Sequence, residues 1–226
     1  MTIREIDNEY VANTYARFPL CLVRGKGSLV YDEDGKEYID LGTGIAVNTF
    51  GYSDDEWVSA VTEQLGALQH TSNLYYSKPC AMLAKTLCER TGMSKVFFSN
   101  PGAEANECAI KTARKYGELN KGAGYTTIVT LKDSFHGRTL ATLAATGQDV
   151  FHKDFLPMPA GFVYAEANNT AEVIALVKDH NCCAVMMELV QGEGGVLALD
   201  PDFALGVSEL CEKYNVLLVI DEVQTG

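Results

Sequence analysis

Apolar and polar positions follow two regimes along the chain, with a change near residue 95. Before it, short mixed segments dominate. Leu29-Val30-Tyr31-Asp32 and Glu37-Tyr38-Ile39-Asp40-Leu41 read as two short strands joined by a turn at Asp34-Gly35. Gly42-Thr43-Gly44 then loosens the chain, and Ser53-Asp54-Asp55 is a polar start for a helix near 54–69. A second helix is predicted after Pro79, running to about Glu89.

Beyond residue 95, apolar runs and amphipathic segments alternate. The pattern predicts strands at 96–99, 126–130, 183–188 and 216–220, and helices at 103–117, 171–179 and 202–214. In the last helix Phe203, Val207, Leu210, Cys211 and Tyr214 share one stripe. In the 103–117 helix the expected buried stripe is Ala105, Cys108, Ala109, Thr112, Ala113 and Tyr116, with Glu107 and Lys111 paired on the exposed side. Continuous apolar strands separated by helices predict an α/β fold with a mostly parallel sheet covered on both faces. Residues 1–50 read as an N-terminal arm with a small β-structure, and 51–226 as the large domain.

Composition narrows the classes. The 226 residues are 47% hydrophobic and 21% charged, enough apolar content for a real core. A net charge of −12 argues against nucleic acid or an anionic membrane as partner. Seven cysteines show an odd count and no CxxC spacing, and several sit on apolar faces as small hydrophobes. With no apolar run of membrane length and no signal-peptide core at Met1–Asp7, a cytoplasmic protein is expected.

In an open parallel sheet, ligands bind beyond the carboxyl ends of the strands, so the polar segments there carry the candidate chemistry. Pro101-Gly102-Ala103 links a strand to a helix, where free amides and the helix dipole suit an anion; an ordinary Gly-containing turn reads equally well. The nucleotide fingerprints are absent: there is no G-x-x-x-x-G-K-[ST], and Gly42-Thr43-Gly44 lacks a third glycine. Phe135-His136-Gly137-Arg138 combines a flat ring with an arginine whose planar fork matches a carboxylate, although a core Phe135 and a surface Arg138 would give the same pattern. A lone loop histidine is most simply structural, so His136 receives no catalytic role. Glu193 sits among Gly192, Gly194 and Gly195, as a substrate-orienting carboxylate or a solvated turn. Asp221 follows five apolar residues, and a carboxylate at the end of a buried strand requires a cationic partner or a change of protonation. A pyridinium N–H is one such partner; a metal-binding aspartate is the other reading.

Together these motifs resemble the class III aminotransferases of pyridoxal-phosphate fold type I, among them the acetylornithine aminotransferases. The likeness runs through Asn13-Thr14-Tyr15, Gly25-Lys26-Gly27, Asp34-Gly35-Lys36-Glu37-Tyr38, Gly44-Ile45-Ala46-Val47-Asn48 and the segments above. It implies pyridoxal 5′-phosphate as cofactor, with Gly102 and Ala103 on the phosphate, Phe135 and Val223 on the two ring faces, Asp221 at the ring nitrogen and Gln224 near the phenolic oxygen. It implies Tyr15, Arg138 and Glu193 as substrate-binding residues, with Arg138 on the α-carboxylate and Glu193 as a gate. The implied reaction moves the ω-amino group of N-acetylornithine to 2-oxoglutarate in a homodimer, with ornithine, succinylornithine and 4-aminobutyrate aminotransferases as close rivals. In that family the cofactor-bearing lysine follows the motif at 221–226 by some tens of residues. No lysine in these 226 residues occupies that place, and the family's C-terminal small domain is expected to lie outside them. The chain is therefore expected to be an incomplete portion without turnover, the alternative being a short non-catalytic paralogue. Pro101 departs from the family's serine or threonine and removes a hydroxyl and an N–H from the phosphate cup. Leu189 stands where proline is common.

Overall fold

A computed structural model describes all 226 residues. Contacts divide the chain into two compact units, Met1–Gly92 and Met93–Gly226.

The first unit opens with helix α1 (Ile3–Tyr10), which falls within the predicted N-terminal arm. Thr2 and Glu5 close its first turn as a reciprocal capping box. A three-stranded antiparallel sheet follows, β1 (Leu22–Lys26), β2 (Leu29–Asp32) and β3 (Glu37–Ile39), in that order. The predicted hairpin is present, and Asp32 organises its turn: Oδ1 accepts the amides of Asp34 at 3.0 Å and Lys36 at 2.8 Å. A short turn of helix, α2 (Thr43–Ala46), precedes α3 (Asp55–Ala67) and α4 (Lys78–Thr91). Asp54 caps α3 through the Trp57 amide, and Gly92 ends α4 in the left-handed conformation.

The second unit contains α5 (Gly102–Asn120), β4 (Thr127–Leu131), α6 (Leu140–Ala145), α7 (Asp149–His152), β5 (Phe162–Ala165), α8 (Thr170–Asp179), β6 (Cys182–Met187), β7 (Val190–Gln191), β8 (Leu197–Ala198), α9 (Pro201–Tyr214) and β9 (Leu217–Ile220). Strands β5-β4-β6-β9 form an all-parallel sheet, as the alternating pattern predicts. All six residues of β6 are buried. Val185 and Met187 face a core shared with Val173, Val177, Phe203, Val207 and Leu210; Ala184 and Met186 face a second core with Ile110 and Ala113. The α9 stripe is present, with Phe203, Val207, Leu210 and Cys211 buried. Burial pushes the thiols of Cys183 and Cys211 up to about 11 and that of Cys182 to about 12, so these cysteines pack as hydrophobes.

Three local expectations are corrected. The 96–99 segment forms no strand: neither edge of the sheet pairs with it, and Phe97 and Phe98 lie exposed. An apolar run without a neighbouring strand has nothing to satisfy its backbone groups in a ladder. The buried stripe of α5 is Asn106, Ile110, Ala113 and Gly117, of which only Ala113 was anticipated. Gly117 is there because a Cβ would lie 2.0 Å from the Tyr125 carbonyl oxygen and 2.6 Å from Cys183 Cβ. Glu107 does not pair with Lys111; it accepts the Thr139 hydroxyl, across the start of α6.

Candidate active site

The loop after β4, the N-terminus of α5 and the end of β9 surround a cavity of about 250 Å³ lined by Gly102, Ala103, Asn106, Phe135, His136, Gly137, Arg138, Asp221 and Val223. It lies at the carboxyl edge of the parallel sheet, where the topology places ligands. Six of the nine predicted site residues meet here; Gln224 and Glu193 do not line it, and Tyr15 belongs to the other unit.

At one end, Pro101 is the N-cap of α5 and offers no side-chain cap. Its carbonyl accepts the amides of Glu104 (3.0 Å) and Ala105 (3.2 Å), leaving the Gly102 and Ala103 N–H groups without a protein acceptor. Two free amides at the positive end of a 19-residue helix form an anion cup. Val223 lies close over Gly102, where a Cβ would come within 2.6 Å of its Cγ1.

At the other end, Asp221 is 7% exposed. Its Oδ2 accepts Asn106 Nδ2 at 2.7 Å and pairs with His136 Nδ1 at 2.8 Å; its Oδ1 accepts the Val223 amide at 3.0 Å. Burial alone would push this carboxyl up. The hydrogen bond and charge of His136, with the Val223 and Asn106 donors, hold it below the ordinary carboxylate range. His136, only 2% exposed, therefore has a defined task as the partner of Asp221.

Between the two ends, the Phe135 ring meets Phe151 edge-on at 5.9 Å, which holds it in place. The Phe135 amide donates to Glu188 Oε2 at 3.0 Å. Glu188, at the end of β6, is 5% exposed, and burial raises its pKa despite that donor. The two buried carboxyl groups of the site are thus pushed in opposite directions. A raised folded-state value means that ionisation of Glu188 costs stability as pH rises. Glu188→Gln should therefore gain on the parent as pH increases above 4.5, the ordinary value of this group. Urea denaturation at several pH values measures this; a difference that does not change with pH would refute it.

Arg138 sits at the rim, its guanidinium carbon 5.7 Å from the Phe135 centroid and with no carboxylate within 4.0 Å. It is a free cation for an incoming carboxylate. Glu193 Oε2 instead accepts Gln148 Nε2 at 2.6 Å. Gln224 packs beside Gly192, and Tyr15 is exposed in the first unit. The residues that sequence reasoning passed over are Asn106 and His136 as partners of Asp221.

An anion cup, a ring platform and an ionised carboxylate in one cavity suit, chemically, a flat ligand with an anionic tail and a basic ring nitrogen. The family pattern described as class-III aminotransferase matches residues 10–226, and the chain belongs to that family. It is 49% identical over 224 residues to the acetylornithine aminotransferase of Haemophilus ducreyi, covering 99% of this chain and 57% of that protein. It is 44% identical over 220 residues to the acetylornithine aminotransferase of Caldanaerobacter subterraneus, covering 97% of this chain and 56% of that protein. Among solved structures, an ornithine aminotransferase from Toxoplasma gondii, described with partial occupancy of PLP at its active site, superposes with a TM-score of 0.92 at 30% identity, over 99% of this chain and 53% of that one. The chain spans a little over half the length of the curated relatives it matches. No helix is long and apolar enough to cross a membrane.

Proposed function

We propose that the whole protein is an acetylornithine aminotransferase that transfers the ω-amino group of N-acetylornithine to 2-oxoglutarate with pyridoxal 5′-phosphate as cofactor. The observation that carries this reading is the convergence of two unpaired amides, an aromatic platform and an ionised buried carboxylate on one cavity. The likeness to two acetylornithine aminotransferases supports the substrate.

The donor set fits the cofactor. Gly102 and Ala103 would hold its phosphate, Phe135 and Val223 its ring faces, and Asp221 its ring nitrogen, with Gln224 approaching the phenolic oxygen. When bound, the cofactor supplies an electron sink for bond breaking at the substrate carbon. The chain's residues bind and orient. Asp221, held ionised, favours a protonated ring nitrogen, and the unpaired Arg138 takes the α-carboxylate of the substrate; the family resemblance gives Tyr15 a substrate-binding role as well. Glu193 acts as the gate for the ω-amino substrate. In this reading residues 1–50 are the arm and small β-segment, 51–226 belong to the cofactor-binding large domain, and the enzyme works as a cytoplasmic homodimer.

The test is substrate profiling of the whole protein. N-acetylornithine should exceed ornithine in kcat/KM by at least about tenfold. A preference for ornithine, succinylornithine or 4-aminobutyrate would move the assignment to that substrate. The 226 residues alone should show no transaminase turnover, and robust turnover by them would refute the placement of the cofactor-bearing lysine outside them.

A further inference from the structure

Resting on the cofactor reading above, we infer that Asn106 is a positioning residue that locks Asp221 in place for the ring nitrogen and ties it to the helix whose amides take the phosphate. Asn106 stands three residues past Ala103 on α5, so one turn separates it from the anion cup. It is 6% exposed, and both hydrogens of its Nδ2 are in use: one goes to the His136 carbonyl at 2.9 Å, the other to Asp221 Oδ2 at 2.7 Å. Three segments far apart in sequence meet at this single amide, with partners 30 and 115 residues away. The reverse orientation of the amide would set its oxygen against two acceptors, so the donor assignment follows from the partners.

This arrangement does what neither His136 nor the strand does alone. His136 supplies a hydrogen bond to Asp221, but it sits on the loop after β4 and does not connect the carboxylate to the cup. Asn106 belongs to the cup's own helix. One hydrogen bond therefore sets the spacing between the phosphate-binding amides and the carboxylate, the span one bound molecule must bridge. The ionisable groups that face this cluster are His136 on the loop after β4, Glu188 after β6 and Asp221 after β9. Glu104 and Glu107, on α5 itself, are engaged elsewhere, with Asn100 and Thr139.

The experiment compares the 226-residue chain with Asn106→Leu, which keeps the volume and removes the donor, and Asn106→Asp. First, the Asp221 carboxyl is titrated by 13C NMR in the free chain; Asn106→Leu should shift its titration to higher pH. Second, dissociation constants are measured for pyridoxamine 5′-phosphate, which needs no lysine, and for benzyl phosphate, which keeps a ring and a phosphate but has no ring nitrogen. Asn106→Leu should bind pyridoxamine phosphate roughly tenfold or more weakly, while benzyl phosphate stays within about threefold. Asn106→Asp should lose affinity at neutral pH and recover relative to the parent on acidification, because a protonated carboxyl can donate again; should Asn106→Leu not fold, this variant carries the test. Equal losses for both ligands, or an unmoved Asp221 titration, would overturn the inference. A parent chain that binds pyridoxamine phosphate no better than benzyl phosphate, with the Asp221 titration still shifted by the variants, would instead overturn the cofactor reading and leave the tether standing.

Discussion

Asp221→Ala is expected to destabilise the Met93–Gly226 unit by roughly 3 kcal/mol or more, the cost of leaving several buried donors without their acceptor. The substitution strands three donors at once: Asn106 Nδ2, His136 Nδ1 and the Val223 amide all lose their acceptor. A buried donor without a partner costs about 1–3 kcal/mol. Asp221→Asn should cost about 1–2 kcal/mol, because one oxygen can still serve Asn106 and His136 while its new amide faces the Val223 N–H. Both variants remove the same titrating group. Asp221 has a lowered folded-state value, so its stabilising contribution is present above 3.8, the ordinary value, and is lost as pH falls through the folded value. The deficits of both variants should therefore shrink as the solution is acidified. Urea denaturation across the acid range measures both effects. An alanine variant within about 1 kcal/mol of the parent would mean that the cluster is already satisfied by water, against the burial seen here.

That cluster also marks where the sequence stopped being legible. β6 and α9 could be read directly, because six successive apolar residues and a regular apolar stripe are strong local signals. The α5 stripe slipped because its true buried face carries Asn106 and Gly117, neither of which registers as hydrophobic. Asn106 is buried for its hydrogen bonds and Gly117 for its lack of a side chain, and both reasons lie in partners distant along the chain. The 96–99 run misled in the opposite direction: its apolar residues signal a strand, yet a strand exists only where another lies beside it. β5 was passed over because four residues between Gly161 and Glu166 give too short a pattern, although pairing with β4 fixes it. The site divides in the same way. Phe135, Arg138 and Asp221 follow strands and could be found by position, and Gly102 by its place at a helix entry, whereas the contacts of Asp221 with residues 85 and 115 positions away could not.

Gly137 connects the two ends of the site, and Gly137→Ala should be among the most damaging single-methyl changes in the molecule. Its φ of 129° lies where side-chain-bearing residues are strained. An added Cβ would also fall 2.7 Å from Thr142 Oγ1, 2.9 Å from Ala103 Cβ and 3.1 Å from Ala103 Cα. Backbone strain of about 1–3 kcal/mol and overpacking of about 1–3 kcal/mol together give a loss of roughly 2–6 kcal/mol. Gly122→Ala separates the two terms: its φ is 113°, and nothing lies within 4 Å of its Cβ, so it should show backbone strain alone. The larger loss at 137 would then come from contact with the anion-cup helix. Because that contact pushes on Ala103 itself, Gly137→Ala should also weaken inorganic phosphate binding, while Gly122→Ala should not. Parallel denaturation curves and phosphate titrations decide it: equal destabilisation of the two variants, with phosphate affinity unchanged in both, would show that the loop and the cup move independently.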